Sequence, residues 1–359
     1  MIMKIVIDDK IPYIRDAIGR ITGDAVYLKG SEIGPADVRD ADALIVRTRT
    51  RCDEALLKGS RVSFVATATI GFDHIDAGYM QRAGIEWMSC PGCNSSSVAQ
   101  YLRSVLILLK RQKGMCPAES TIGIVGCGHV GSKVARVASD MGMRVLVCDP
   151  PRQERGDQGP FVSMEEIEQQ SDVITFHVPL TDNGPHPTLH MADAGFFSRL
   201  GRRPVIINTS RGAVVDNGAL LNAIIYNKVK DAVIDTWENE PKINLQLMDR
   251  AWIATPHIAG YSADGKTNAD NMVVSGLCRH FGLSVPCVIY PPELPPTFVP
   301  ADDPDDLSLQ LYNPLDDSAR LKASPESFEE LRGNYPLRRE TAPRKKGMTS
   351  RPKAKKRIP

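Results

Sequence analysis

The sequence predicts an α/β protein built from two parallel sheets wound by helices, and three observations carry that prediction. Short β-rich runs alternate with helical patterns through the first hundred residues. After a long apolar-periodic helix the alternation starts again, more regularly. The second series opens on a glycine string set between a strand and a helix. A length of 359 residues suits two domains with a smaller third element.

The elements follow in order. Strands are expected over residues 5–7, 43–46, 63–66 and 85–88, with helices over 12–20 and 75–83 between them. The first strand is expected in Met3-Lys-Ile-Val-Ile-Asp8, a stretch that reads as a strand and not as a signal peptide, so a cytoplasmic place is expected. A helix over 97–113 carries Val98, Tyr101, Leu102, Val105, Leu108 and Leu109 on one side, behind the capping residues of 94–97. The second series reads as strand 121–125, helix 129–141 and strand 144–148, then strands at 173–176, 204–208 and 231–234. A helical pattern runs from Lys266 to Phe281. Residues 286–304 are rich in proline and 302–306 in acid, which reads as an extended connector. One more helix followed by an extended stretch is expected over 327–339. Beyond Glu340 little is available to bury, and disorder is expected.

Composition excludes several classes. A hydrophobic fraction of 42% with 24% charged residues is that of an ordinary globular protein, and no apolar run is long enough to span a membrane. The tail 341–359 carries eight Lys or Arg and no acid; removing those charges from a formal net charge of +1 leaves −7. An acidic body speaks against nucleic acid as a partner. Eight cysteines are scattered without a framework, so reduced thiols are expected. Cys90-Pro-Gly-Cys93 has redox or zinc spacing, but no second pair completes a site, and its flanks read as a loop entering a helix. No metal is expected.

The glycine string is Gly126-Cys-Gly128-His129-Val130-Gly131. Such a string alone is a weak signal. Here an apolar strand precedes it, a helical pattern follows, and an acid, Asp149, ends the next strand, which together make the Rossmann dinucleotide fingerprint. Gly126 permits the tight turn, Gly128 the approach of backbone to pyrophosphate, and Gly131 close helix–strand packing. The helix N-terminus faces the phosphates. Asp149 would accept from the ribose hydroxyls and repel a 2′-phosphate, which favours NAD as cofactor.

Three more strings follow predicted strands: Thr209-Ser210-Arg211-Gly, Asp235-Thr-Trp-Glu-Asn-Glu240-Pro and Thr255-Pro-His257-Ile-Ala-Gly260-Tyr261. Loops after strand ends are where an open α/β sheet binds ligands. Their residue types suit oxidation of an alcohol beside a carboxylate. Arg211 can hold the carboxylate through paired charge-assisted bonds. His257 can take the hydroxyl proton, and Glu240 can orient the imidazole and favour its charged form.

These strings, in this order behind the fingerprint, resemble the D-isomer-specific 2-hydroxyacid dehydrogenases over roughly residues 1–290. The resemblance implies catalytic roles for Arg211, Glu240 and His257, and a place near the nicotinamide for Asp235. It implies that Val178, Thr209, Ser210 and Gly260 help line the cofactor. It further implies a flavodoxin-like substrate domain from residues 1–96 and 266–290 beside a Rossmann NAD-binding domain of 97–265. A narrower set of strings is similar to the 4-phosphoerythronate dehydrogenases, a branch of that superfamily in vitamin B6 synthesis. They are Asp8-Asp-Lys-Ile-Pro-Tyr13, Thr67-Ala-Thr69-Ile-Gly-Phe-Asp-His74, Cys90-Pro-Gly-Cys-Asn94, Pro187-Thr-Leu-His190 and Gly333-Asn-Tyr-Pro-Leu-Arg338. That likeness implies substrate contacts at Thr48, Thr69 and Tyr261, a small C-terminal dimerisation region over 291–340, and a homodimer. Glycerate, hydroxypyruvate or 3-phosphoglycerate stand as alternative substrates, and an NAD-sensing corepressor-like protein as an alternative class. For a substrate phosphate, the run Arg47-Thr-Arg49-Thr-Arg51 is the candidate holder. On an extended strand end its three guanidiniums would share one face. Arg338 of a partner subunit is a further candidate.

Overall fold

The computed structural model describes residues 3–342. They fall into two compact units, one running up to Asn94 and resuming over Tyr261–Glu293, the other made of Ser95–Gly260 and the chain from Leu294. Among the described residues no helix is long and apolar enough to cross a membrane.

The first unit carries strands β1 (Lys4–Asp8), β2 (Asp24–Leu28), β3 (Ala43–Val46), β4 (Phe64–Thr67) and β5 (Glu86–Met88). They form one parallel sheet in the order β2-β1-β3-β4-β5, a flavodoxin-like winding. Successive side chains on a strand face opposite ways, and here both faces are buried. Ile5, Ile7, Ala43, Ile45, Phe64 and Ala66 pack on one side with Ala269, Val273 and Leu277 of the helix Ala263–His280. Val6, Leu44, Val46 and Val65 fill the other with Leu56, Leu57 and Met80. Strand β2 has no counterpart in the sequence reading. Its residues Asp-Ala-Val-Tyr-Leu are at most half-buried at a sheet edge, so no long apolar run marks them. Cys90-Pro-Gly-Cys93 is a turn, and Cys90 is buried with its thiol turned to the Thr67 and Ala269 carbonyls. Burial pushes that thiol well up, which suits an inert side chain.

The second unit has β6 (Thr121–Val125), β7 (Arg144–Cys148), β8 (Val173–Phe176), β9 (Val205–Asn208), β10 (Asp231–Ile234) and β11 (Ile253–Ala254). All are parallel, in the order β11-β10-β9-β8-β6-β7. The chain leaves β6 for β7 on one side and returns to β8 on the other. That reversal opens a crevice at the carboxyl end of β6, where the glycine string begins.

Residues 286–303 carry no helix or strand, as a connector requires, and helices begin at Pro304, inside the acidic run expected to prolong it. Asp303 caps the helix Pro304–Leu311, accepting from the Asp305 and Asp306 N–H groups at 2.9 and 2.8 Å, with Pro304 at the first helical position. The acidic turn meets the basic end of the helix Ser95–Gln112, through Lys110–Asp305 at 3.0 Å and Arg111–Asp306 at 2.6 Å. Helices Pro314–Ala323 and Phe328–Gly333 follow, and Leu321 and Phe328 enter the core of the unit. Arg338 does not reach out toward a partner's substrate. It is 3% exposed, lies 3.6 Å over the Tyr312 ring and donates to Ser97 O, Gln100 Oε1 and Ile258 O of its own chain. A guanidinium with this many internal acceptors is a structural tie. The disordered tail expected beyond Glu340 falls on 343–359, outside the described residues.

Candidate active site

Three adjacent strands of the second unit deliver the three expected groups: Arg211 follows β9, Glu240 follows β10 and His257 follows β11. His257 sits at φ +57°, a left-handed conformation that a non-glycine residue keeps only when its surroundings fix it. Asp235 supplies much of that fixing. It is 1% exposed, takes the Thr255 hydroxyl at 2.6 Å and the N–H groups of Ile258 and Ala259 at 2.8 and 2.9 Å, and its carbonyl accepts from the His257 N–H at 2.8 Å. Burial pushes its carboxyl up, while the His257 charge and these bonds oppose the rise. The structure thus commits Asp235 to the loop that carries the histidine.

The His257 ring meets Glu240 through Nδ1, at 2.8 Å from one carboxylate oxygen and 3.1 Å from the other. Glu240 is itself held by the Trp237 N–H at 2.9 Å, and the Trp237 indole donates to the Thr255 carbonyl. Burial raises the Glu240 carboxyl, but the His257 charge, its hydrogen bond and the Trp237 N–H outweigh burial and hold it below its ordinary value. The pair therefore fixes the ring with Nε2 available for proton transfer. Arg211 lies on extended backbone, donates to the Ser210 carbonyl at 2.9 Å, and is braced by Asn208, whose Nδ2 donates to the Arg211 carbonyl. Ser210 is tied to the same asparagine through both N–H and hydroxyl.

The crevice at β6 fits a dinucleotide. Gly126 has φ +87°, and a Cβ on Gly131 would collide with the Gly126 carbonyl, so neither position admits a side chain. A Cβ on Gly128 would meet no protein atom within 4 Å, which leaves that face of the turn open to a ligand. His129 is exposed in the same turn, Val130 half-buried at its end, and Val178 lies against Gly126. Among the described residues the buried Thr209 hydroxyl has no hydrogen-bond partner, a donor and acceptor left for something else. Asp149 accepts from the Cys127 N–H at 2.7 Å and the Arg152 N–H at 3.1 Å, bracing the turn with the carboxylate expected on the ribose. Gly260, half-buried, ends the first of the unit's two chain segments.

In the first unit the arginine run departs from the expected geometry. Strand β3 ends at Val46 and the chain turns at once, so Arg47, Arg49 and Arg51 do not share a strand face. Arg47 turns to the Lys10 carbonyl at 3.2 Å, and Arg51 pairs with Asp53 at 2.8 Å. Thr48, Arg49 and Arg51 line a shallow cleft with Asp73 and His74. Thr69 is tied to the Thr67 hydroxyl at 2.6 Å and the Gly71 carbonyl at 2.8 Å. Tyr261 lies under Lys266, whose Nζ is 5.2 Å from the ring centre. Lys266 escaped the sequence reading, although its spacing to Asp270, Val273 and Leu277 puts it on the buried face of its helix. Among the described residues no group of three or more metal-ligating side chains is placed to hold an ion.

Comparison with known proteins bears on all of this. The model of the D-isomer specific 2-hydroxyacid dehydrogenase NAD-binding domain matches residues 101–259. Erythronate-4-phosphate dehydrogenase of Bacteroides thetaiotaomicron is 55% identical over 94% of this chain and 97% of its own length. The enzyme of the same name from Bacteroides fragilis is 52% identical over 94% and 97%. Among solved structures, D-lactate dehydrogenase of Aquifex aeolicus, complexed with NAD and lactic acid, superposes with a TM-score of 0.66 at 26% identity, over 78% of this chain and 96% of that one. The chain therefore belongs to the erythronate-4-phosphate dehydrogenases within the D-isomer specific 2-hydroxyacid dehydrogenases, and it is an NAD-dependent oxidoreductase.

Proposed function

We propose that the chain oxidises 4-phospho-D-erythronate at C2 to 2-oxo-3-hydroxy-4-phosphobutanoate, a step of pyridoxal phosphate synthesis. The observation that carries the chemistry is the His257 Nδ1–Glu240 pair at 2.8 Å. NAD held by Thr209 and the turn of 126–131 would supply the acceptor for the hydride of C2. His257 Nε2 takes the hydroxyl proton as the carbonyl forms, and the Glu240 carboxylate stabilises the imidazolium that results. Arg211 holds the substrate carboxylate beside the reacting carbon. Thr209 and the turn of 126–131 hold the cofactor. Thr48, Thr69 and Tyr261 of the first unit act as substrate contacts, and the protein works as a cytoplasmic homodimer.

The identity of its relatives supports the phosphorylated substrate. NADH formation, followed by absorbance with 4-phosphoerythronate, erythronate, glycerate and 3-phosphoglycerate in turn, tests the reading. The phosphorylated erythronate should give the highest kcat/KM. A protein that prefers erythronate or glycerate would end this assignment and leave the superfamily chemistry standing.

A further inference from the structure

The first unit holds a group of charges that the acid/base chemistry does not use. Arg47 leaves the end of β3 and donates to the Lys10 carbonyl at 3.2 Å, three residues before Tyr13, and Lys266 lies in the first turn of the helix Ala263–His280. One helical turn beyond, Asp270 is 1% exposed and accepts the Tyr13 N–H at 3.3 Å. Among the described residues, neither Arg47 nor Lys266 has a carboxylate within ion-pair distance. Arg47 has one carbonyl as acceptor, and Lys266 has the face of Tyr261.

Two partly buried cations with no carboxylate within ion-pair distance are costly unless an anion joins them. The local electrostatics agree. Burial draws the Lys266 ammonium down to about 8, with the Arg47 charge adding to it and Asp270 opposing. Asp270 is not the missing counter-ion in full, because burial lifts its carboxyl to about 7 despite the Tyr13 N–H, Arg47 and Lys266. The other arginines are less suited. Arg51 already pairs with Asp53, and the cleft it shares with Arg49 is lined by Asp73, whose charge would oppose a dianion.

We propose that Arg47 and Lys266 form a phosphate-binding pair, with Lys266 the residue that makes the enzyme select a phosphorylated over an unphosphorylated hydroxy acid. This rests on the substrate reading given above and names the side chains that enforce it. A planar guanidinium can grip two phosphate oxygens, and an ammonium held over an aromatic ring adds a compact charge beside them. Tyr261 then positions the lysine and need not bond the phosphate itself.

The test uses the full chain with Lys266→Met, Lys266→Arg and Arg47→Met, each checked for a native urea-unfolding transition. Inorganic phosphate is titrated calorimetrically, and kcat and KM are measured for 4-phosphoerythronate and erythronate. Lys266→Met should weaken phosphate binding and raise KM for the phosphorylated acid about ten- to a hundredfold, with kcat changed far less. Its kcat/KM for erythronate should stay within about twofold, and Lys266→Arg should recover much of the loss. Unchanged phosphate affinity and an unchanged substrate ratio in Lys266→Met would overturn the pair. If Lys266→Met does not fold, Lys266→Arg and Arg47→Met carry the same comparison. Lys266-dependent phosphate binding in a protein that ignores 4-phosphoerythronate would keep the subsite and remove the substrate reading. Turnover of 4-phosphoerythronate that is indifferent to both residues would do the reverse.

Discussion

Replacing Asp270 by Asn should make the protein more stable, and only above acidic pH. The carboxyl is 1% exposed, and burial moves it from an ordinary 3.8 up to about 7. Below about pH 3.8 both folded and unfolded chains carry the proton and the group contributes no pH-dependent difference. As pH rises toward 7 the unfolded chain releases the proton while the folded chain keeps it, so stability falls. Above about 7 the loss is complete, and at about 1.4 kcal/mol per pH unit the displacement is worth about 4 kcal/mol. Asn keeps an acceptor for the Tyr13 N–H and has no charge to desolvate. Any fixed cost of packing its amide is the same at both ends of the titration. Urea unfolding of wild type and Asp270→Asn at pH 4.5 and 7.0, without phosphate, measures the difference where Lys266 still keeps most of its proton. The variant's advantage should grow by roughly 3 kcal/mol between those two conditions. An advantage that does not change with pH, or one that shrinks as pH rises, would refute the assignment of Asp270 as a buried acid near neutrality.

The other expectations concern the second unit. His257→Ala should lower kcat by about 10²–10⁴ with little change in the fluorescence-measured affinity for NADH, whereas Glu240→Gln should cost less and move the acid limb of the oxidation profile to lower pH. Gly131→Ala forces a Cβ onto the Gly126 carbonyl and should cost about 1–3 kcal/mol of stability in urea unfolding. Gly128→Ala meets no protein atom and should unfold like wild type, yet bind NADH about tenfold or more weakly; equal stability losses in the two variants would contradict this division. Asp149→Ser frees the Cys127 N–H, so affinity for NADH should fall, and the gap between NADH and NADPH should narrow because a repelling charge is gone. A wild-type protein that already prefers NADPH would show that Asp149 does not set the choice.

Much of the chain could be read directly because most of its strands are buried on both faces. Residues 121–125, 144–148, 173–176 and 231–234 are strands in the structure over the same bounds. A parallel sheet covered by helices needs such short apolar runs, and turn residues bracket them. What escaped was structure whose stability is not local. Strand β2 is an edge with a half-buried face, β11 is two residues long, and the helices after Asp303 are made stable by packing on the helix Ser95–Gln112. Proline misled at residue 304, where it opens a helix in place of prolonging a linker. The Arg211 and Glu240 strings survived this difficulty because each lies in a loop just beyond a well-marked strand, whereas the His257 string follows the two-residue β11 and stood on its own residues.

The arginine run and Lys266 show where a charge pattern ceases to be informative. Alternate residues face one way only while a strand continues, and β3 stops at Val46, one residue before the first arginine. A turn of unknown angle then sends Arg47 one way and Arg51 another, and sequence spacing says nothing about either. Helical spacing is firmer, since it persists for as long as the helix does. Lys266 and Asp270 stand on the stripe that Val273 and Leu277 bury, where a solvated surface has no reason to place them. A charged pair on an apolar stripe costs free energy unless something compensates it. That cost, visible from the spacing before any coordinates, is a better pointer to a ligand than the richer but solvated arginine run.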